Sequence, residues 1–191
     1  MQRFHPEKRC RYVVQEQMRG QSHALYMARQ FLTGPVLMTF SDTLIETDLS
    51  GLFDHDMDGL AWVKAVPDPR RFGVAQTDAA GQIQRLVEKP TEMTNNLVVV
   101  GFYFFRSGEA LIAAIEEQMR RNTLLKNEFF LADAVNILLE QGARFAVRPV
   151  ETWLDAGLPE AVLETTRYLL EHRSEEHPSE LQLRHVISYA V

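Results

Sequence analysis

Short apolar or β-branched runs alternate along the chain with longer stretches in which apolar residues recur every three or four positions. That alternation predicts strands joined by crossover helices, an α/β fold with a mainly parallel mixed sheet. Tyr12 to Gln15 reads as a strand end, His23 to Phe31 as a helix, and Pro35 to Phe40 as a buried strand delivering Ser41-Asp42 at its carboxyl end. A strand is expected at Leu60 to Val66. The alternating runs Phe72 to Thr77 and Ile83 to Val87 are joined through Asp78-Ala79-Ala80-Gly81 as a hairpin. Leu97 to Phe105 reads as a long Val- and aromatic-rich strand, followed by helices over Glu109 to Arg121 and Leu131 to Gln141, the latter stopped at Gly142. Phe145 to Val150 completes the strands, and Pro159, suited to a first helical turn, opens a helix to His172.

The chain has 191 residues and 46% hydrophobic content, which predicts one globular domain. A formal net charge of −6 argues against nucleic acid as a partner. No apolar run approaches the roughly 18 residues of a membrane span. The polar start lacks the apolar stretch of a secretory signal, and the single cysteine, Cys10, forms no internal disulfide, so a cytoplasmic location is expected. Residues 173–191 depart from the rest. They resemble a translated sequencing adapter and are expected to be a non-native tail rather than part of the domain at 1–172.

Asp42 follows an apolar strand, and Asp155, in W-L-D-A-G, stands between a strand and a helix. Ligands of open α/β folds collect at such carboxyl edges, and two carboxylates there can share one Mg²⁺. Each Asp is equally a common turn former or helix cap. Glu88-Lys89-Pro90 sets an acid suited to sugar hydroxyls beside a base suited to phosphate, or is a solvated pair before a turn. Gly73 marks either close approach of a ligand or a bulge. Gln15, which donates and accepts at once, matches a pyrimidine imide, with bare backbone at Gly20 beside it, or is an ordinary strand-end residue before a turn. Asp54-x-Asp56-x-Asp58-Gly59 lacks the closing Glu of a calcium loop, since Ala65 stands there. The six His have no zinc spacing, and no nucleophile motif is present.

Taken in order, Y-V-V-Q (12–15), G-Q-S-H-A-L (20–25), S-D-T (41–43), D-P-R-R-F-G-V (68–74) and E-K-P (88–90) resemble successive blocks of the sugar-1-phosphate nucleotidyltransferases. So do N-N-L-V-V-V-G-F-Y-F-F (95–105), N-E-F-F-L-A-D-A (127–134) and W-L-D-A-G-L-P-E (153–160), with the strongest likeness to glucose-1-phosphate thymidylyltransferases and with uridylyl- and guanylyltransferases near. The resemblance implies a Rossmann-like fold, dTTP or UTP and a sugar 1-phosphate as substrates, and possible oligomers. It also implies Mg²⁺ on Asp42 and Asp155, Gln15 and Gly20 at the base, Gly73, Glu88 and Gly101 at the sugar, and Lys89 on its phosphate. A non-catalytic sugar-nucleotide-binding or regulatory subunit is the alternative from another class.

Ser41 and Thr43 stand where the family usually has Gly before the metal-binding Asp and Asn or Asp after it, and Ala156 stands in place of Thr or Cys. No G-x-G-T-R loop occurs in the sequence, so the fold is expected to lack its first βαβ unit, leaving one flank of the sheet open. Without those N–H groups and cations the loss of transition-state stabilisation should be roughly 3 kcal/mol or more. The 191-residue chain on its own should therefore give little or no pyrophosphate release from any nucleoside triphosphate and sugar 1-phosphate. Turnover at the rate of a competent enzyme would refute this.

Overall fold

The computed structural model describes residues 10–157 and 159–172 together with a strand at 186–189; the rest of the expected tail at 173–191 lies outside the described residues. In chain order the elements are α1 (Gln21–Met27), β1 (Val36–Phe40), β2 (Thr43–Ile45), β3 (Gly59–Ala65), β4 (Gly73–Thr77), β5 (Ile83–Glu88) and β6 (Leu97–Phe105). Then follow α2 (Gly108–Arg121), α3 (Leu131–Glu140), β7 (Phe145–Pro149), β8 (Trp153–Asp155), α4 (Pro159–His172) and β9 (Val186–Tyr189). A single 3₁₀ turn, Arg29–Phe31, follows α1.

The α/β class is as expected, but the pairing is not mainly parallel. The main sheet has the order β5-β4-β6-β1-β9, with β3 on β6 and β7 on β3. The β6 strand runs antiparallel to β1, β3 and β4, and only β3–β7 and β1–β9 are parallel. The reason lies in the connections. Only residues 78–82 separate β4 from β5, which forces an antiparallel hairpin, and β6 returns along β4 without a crossover helix. The hairpin turn is held by Asp78, whose Oδ1 accepts from the N–H groups of Ala80 and Gln82, each at 2.9 Å.

Period-two alternation divides the strand residues between two cores. Val36, Met38, Ala61, Val63, Tyr103 and Phe105 face α1, α2 and α3, while Leu37, Leu60, Trp62, Val100 and Phe104 face Leu52, Val150 and the loops around them. Because Val36, Leu37 and Met38 are all buried, β1 is an interior strand with both faces covered. The helix starts obey local chemistry too. At α2 the Ser107 hydroxyl accepts from Ala110 N–H at 3.0 Å, and Asn122 ends the helix in the left-handed region.

Tyr12 to Gln15 forms no strand. Tyr12 is 84% and Val14 73% exposed, and among the described residues no strand pairs with them. The short β2 and β8 were not foreseen, because three residues carry no readable period.

Packing makes Gly59 the most demanding glycine. A Cβ there would lie 2.0 Å from Cε1 of Phe145, a ring with no room to retreat, whereas one at Gly34, with φ of 67°, would meet nothing. Urea unfolding should therefore find Gly59→Ala destabilised by about 3 kcal/mol through overpacking and Gly34→Ala by about 1 kcal/mol through backbone strain alone. Equal losses would contradict this packing.

Candidate active site

Two carboxylates distant in sequence meet at the edge where β1 ends. Asp42 stands two residues past the end of β1 and directly precedes β2, which pairs antiparallel with β8 so that Thr43 stands opposite Asp155. The Ala156 N–H donates to the Asp42 carbonyl at 2.8 Å, continuing the ladder past the strand ends. Asp155 Oδ1 accepts from Gly157 N–H at 2.8 Å, the turn-forming role that a strand-end Asp often plays. Above this turn is a small open space. A Cβ on Gly157 would sit 3.0 Å from Asp155 Oδ1 and 3.3 Å from Asp42 Oδ2, so one point lies within reach of both carboxylates and only a glycine leaves it empty. Among the described residues no group of three or more His, Cys, Asp or Glu is arranged as a metal site. Two carboxylates suit Mg²⁺, which keeps waters and takes phosphate oxygens for its remaining positions.

Glu88 ends β5 opposite Gly73, the first residue of β4. A Cβ there would lie 2.9 Å from Glu88 Oε2, so a side chain at this position would push the Glu88 carboxylate aside. Burial pushes the Glu88 carboxyl up to about 7; Lys89 opposes this, and Asp133 and Glu128 add to it. Burial also raises Asp133, against the pull of Arg85, and raises the buried phenol of Tyr103, with Glu88 adding to the effect. Lys89 itself adopts φ of 48°, donates its N–H to Phe72 O at 2.9 Å, and holds Nζ 4.5 Å from the centre of the Phe130 ring.

Aromatic contacts link the two halves. Phe72, next to Gly73, packs edge-on against Trp153 at 5.2 Å, and Trp153 stands two residues before Asp155. Gly101, with φ of 77°, lies at an irregularity in the β3–β6 register, and a Cβ there would strike the Phe40 ring at 2.3 Å. It therefore packs against the residue that leads to Asp42.

Gln15 and Gly20 form a separate group at the start of α1. The Gln15 amide nitrogen donates to Gly20 O at 3.1 Å and lies 2.8 Å from His23 Nδ1. Since a carbonyl only accepts, the nitrogen must face it, and Nδ1 of His23 is then the acceptor. Burial and the charge of Arg19 lower the His23 pKa, in keeping with a neutral ring. Gly20 is required by packing, because a Cβ would lie 2.7 Å from the backbone of Phe129.

Of the residues that sequence reasoning named, the structure brings Asp42 together with Asp155 and Glu88 together with Gly73, and keeps Gln15 and Gly20 as a separate pair. Sequence reasoning missed Gly157, Trp153, Phe130 and Tyr103. The glycine after W-L-D-A was a visible signal, whereas a ring beneath an ammonium depends on packing between elements far apart in sequence.

Residues 3–172 match the model of the nucleotidyl transferase family, and the chain belongs to that family. It is 32% identical over 169 residues to a low-salt glycan biosynthesis nucleotidyltransferase of Haloferax volcanii, covering 85% of this chain and 46% of that protein. It is 29% identical over 167 residues to a glucose-1-phosphate thymidylyltransferase of Streptomyces griseus, covering 84% and 45%. The chain thus spans about half the length of these relatives. A UDP-glucose pyrophosphorylase solved with UDP-glucose superposes with a TM-score of 0.76 at 23% identity, covering 90% of this chain and 70% of that one. That likeness carries the nucleotidyltransferase Rossmann-like fold. Among the described residues no helix is long and apolar enough to cross a membrane.

The raised Glu88 pKa has a consequence for stability. A carboxyl whose folded pKa of about 7 exceeds its ordinary 4.5 contributes stability that is complete below about pH 4.5 and is lost as the pH rises through about 7. Glu88→Gln should therefore gain on the wild type across that window, by roughly 2 kcal/mol at pH 8 after allowance for partial solvent access. Thermal unfolding from pH 4 to 8 measures it; a difference that does not grow with pH would contradict the assignment.

Proposed function

We propose that this chain carries the metal- and sugar-phosphate-binding part of a sugar-1-phosphate nucleotidyltransferase of the thymidylyl- or uridylyl-transferring kind. In that reaction a phosphate oxygen of the sugar 1-phosphate forms a new bond to the α-phosphorus of dTTP or UTP. The bond from that phosphorus to the bridging oxygen breaks, and the electron pair leaves with pyrophosphate. The nucleophile is already an anion, so alignment and charge neutralisation matter more than a general base.

The single observation that carries the reading is the pair Asp42 and Asp155 flanking the space kept open by Gly157. These carboxylates would hold Mg²⁺, which when bound supplies positive charge to the phosphates. Glu88, held beside Gly73, would take sugar hydroxyls, with the protonated form donating and the ionised form only accepting. Lys89, steadied on Phe130, would meet the sugar's phosphate as a point charge. Gly101, whose missing side chain lets Phe40 pack against the backbone, would offer that backbone to the sugar. Gln15 would turn its amide to the pyrimidine edge, with Gly20 beneath it. The relatives named for thymidylyl and uridylyl transfer to glucose 1-phosphate support this choice of nucleotide and sugar. Soluble, intracellular action fits sugar-nucleotide chemistry of this kind.

Binding tests the reading without requiring turnover. Mn²⁺ titration followed by electron paramagnetic resonance should give one site, weakened at least about 10-fold by Asp42→Asn, by Asp155→Asn and by Gly157→Ala. Affinities unchanged in all three would remove the metal site. Glucose 1-phosphate binding, measured calorimetrically, should fall about 10-fold in Lys89→Ala; no change would remove Lys89 from the phosphate.

A further inference from the structure

The β5 strand closes one side of the main sheet, and among the described strands it pairs only with β4. Its outer backbone groups would be left to solvent, yet two of them are taken by one side chain. Leu86 N–H donates to Asn136 Oδ1 at 2.8 Å, and Asn136 Nδ2 donates to Leu86 O at 2.8 Å. A side-chain amide carries the same donor and acceptor as a peptide group, so Asn136 completes the edge as a neighbouring strand would. It occupies the middle of α3, whose packing fixes the amide's distance from the sheet. Leu86 and Glu88 are two residues apart and so project to the same face of the strand.

The same stretch of chain engages the rest of the turn. Phe130, the residue before α3, lies beneath the Lys89 ammonium, and Asp133, one turn ahead of Asn136, acts on Glu88 through its charge. Lys89 keeps a positive φ, a conformation that an unbranched L-residue holds only when its surroundings require it. Two contacts and one nearby charge from a single segment of about two turns therefore bear on residues 86–89.

We propose that Asn136 is a positioning residue: by pairing with Leu86 it fixes the end of β5, and thereby the place of Glu88 and Lys89 in the site. The link to sugar binding rests on the reading above; the geometric claim does not. Asn136 touches no reacting atom and acts only through the strand. Its function is separable from that of an ordinary edge cap, because a cap would lower stability and leave the site unmoved.

The test compares Asn136→Ala with Leu139→Ala, a substitution on the same helix that removes apolar packing but no hydrogen bond to β5. Three quantities are read on the full 191-residue chain: melting temperature, glucose 1-phosphate affinity by calorimetry, and the titration midpoint of the Glu88 carboxyl by carbon NMR. The ring-current shift of the Lys89 methylenes over Phe130 is a fourth. Asn136→Ala should weaken glucose 1-phosphate about 10-fold, move the Glu88 midpoint toward the ordinary carboxylate range as water reaches it, and reduce the Lys89 shift. Leu139→Ala should lower the melting temperature and leave the other three in place. If Asn136→Ala lowers only the melting temperature, or if both variants move the site alike, the proposal is overturned. If the alanine variant does not fold, Asn136→Asp decides instead, since it is isosteric and still accepts from Leu86 N–H. It should reduce the Lys89 shift and weaken binding, and wild-type values for both would overturn the proposal. If the wild type binds no glucose 1-phosphate, it is the sugar reading that fails, and the Glu88 midpoint and Lys89 shift still decide whether Asn136 positions the turn.

Discussion

The pairing of Thr43 with Asp155 brings two carboxylates distant in sequence to one place. A three-residue ladder is too short to persist by itself, and this one is held at several points. β2 continues directly from the end of β1, and the Ala156 N–H extends the pairing to the Asp42 carbonyl. Trp153 packs against the second core and against Phe72. The separation of the two acids is thus set by backbone hydrogen bonds and a half-buried indole, neither of which responds to the protonation of the acids themselves.

The β6 strand joins this pair to the region around Glu88. Along one edge it pairs with both β1 and β4, antiparallel to each, while β3 takes the other edge, and its break in regularity at Gly101 brings backbone against Phe40. Whatever shifts Phe40 shifts the start of the Ser41-Asp42 turn. On its other flank, the same strand carries Tyr103, whose burial places a phenol near enough to Glu88 to feel its charge. The core beneath the site and the site itself therefore share side chains. Substitutions at Phe40, Gly101 or Tyr103 would be felt in both.

The parts of this structure that were legible in the sequence are those governed by local rules. The bounds of β6 and α4 were read as they stand, because a nine-residue apolar strand and a helix opened by proline announce themselves. The sheet's direction was not, since period-two patterning is the same for parallel and antiparallel strands and only the short 78–81 turn carried the difference. Tyr12 to Gln15 has the composition of a strand, but a strand also needs a partner, and composition cannot supply one. Gly20 could be read as bare backbone beside Gln15, but its packing on the Phe129 backbone, a contact between residues more than a hundred positions apart, leaves no local trace. Glu88 and Lys89 could be named from their chemistry, while the burial that raises one and the ring that steadies the other come from α3.

The lane along the outer side of β1 has a direction. The β9 strand occupies it in parallel register, Leu37 against Val186 through Phe40 against Tyr189, so both strands finish at the same rim. Asp42 stands two residues past that finish. A chain travelling this lane in the same sense as β1 leaves it at the rim past which Asp42 stands, while one travelling the opposite way enters there. The polarity of a single hydrogen-bonding edge thus decides which end of a neighbouring segment can share space with the carboxylates.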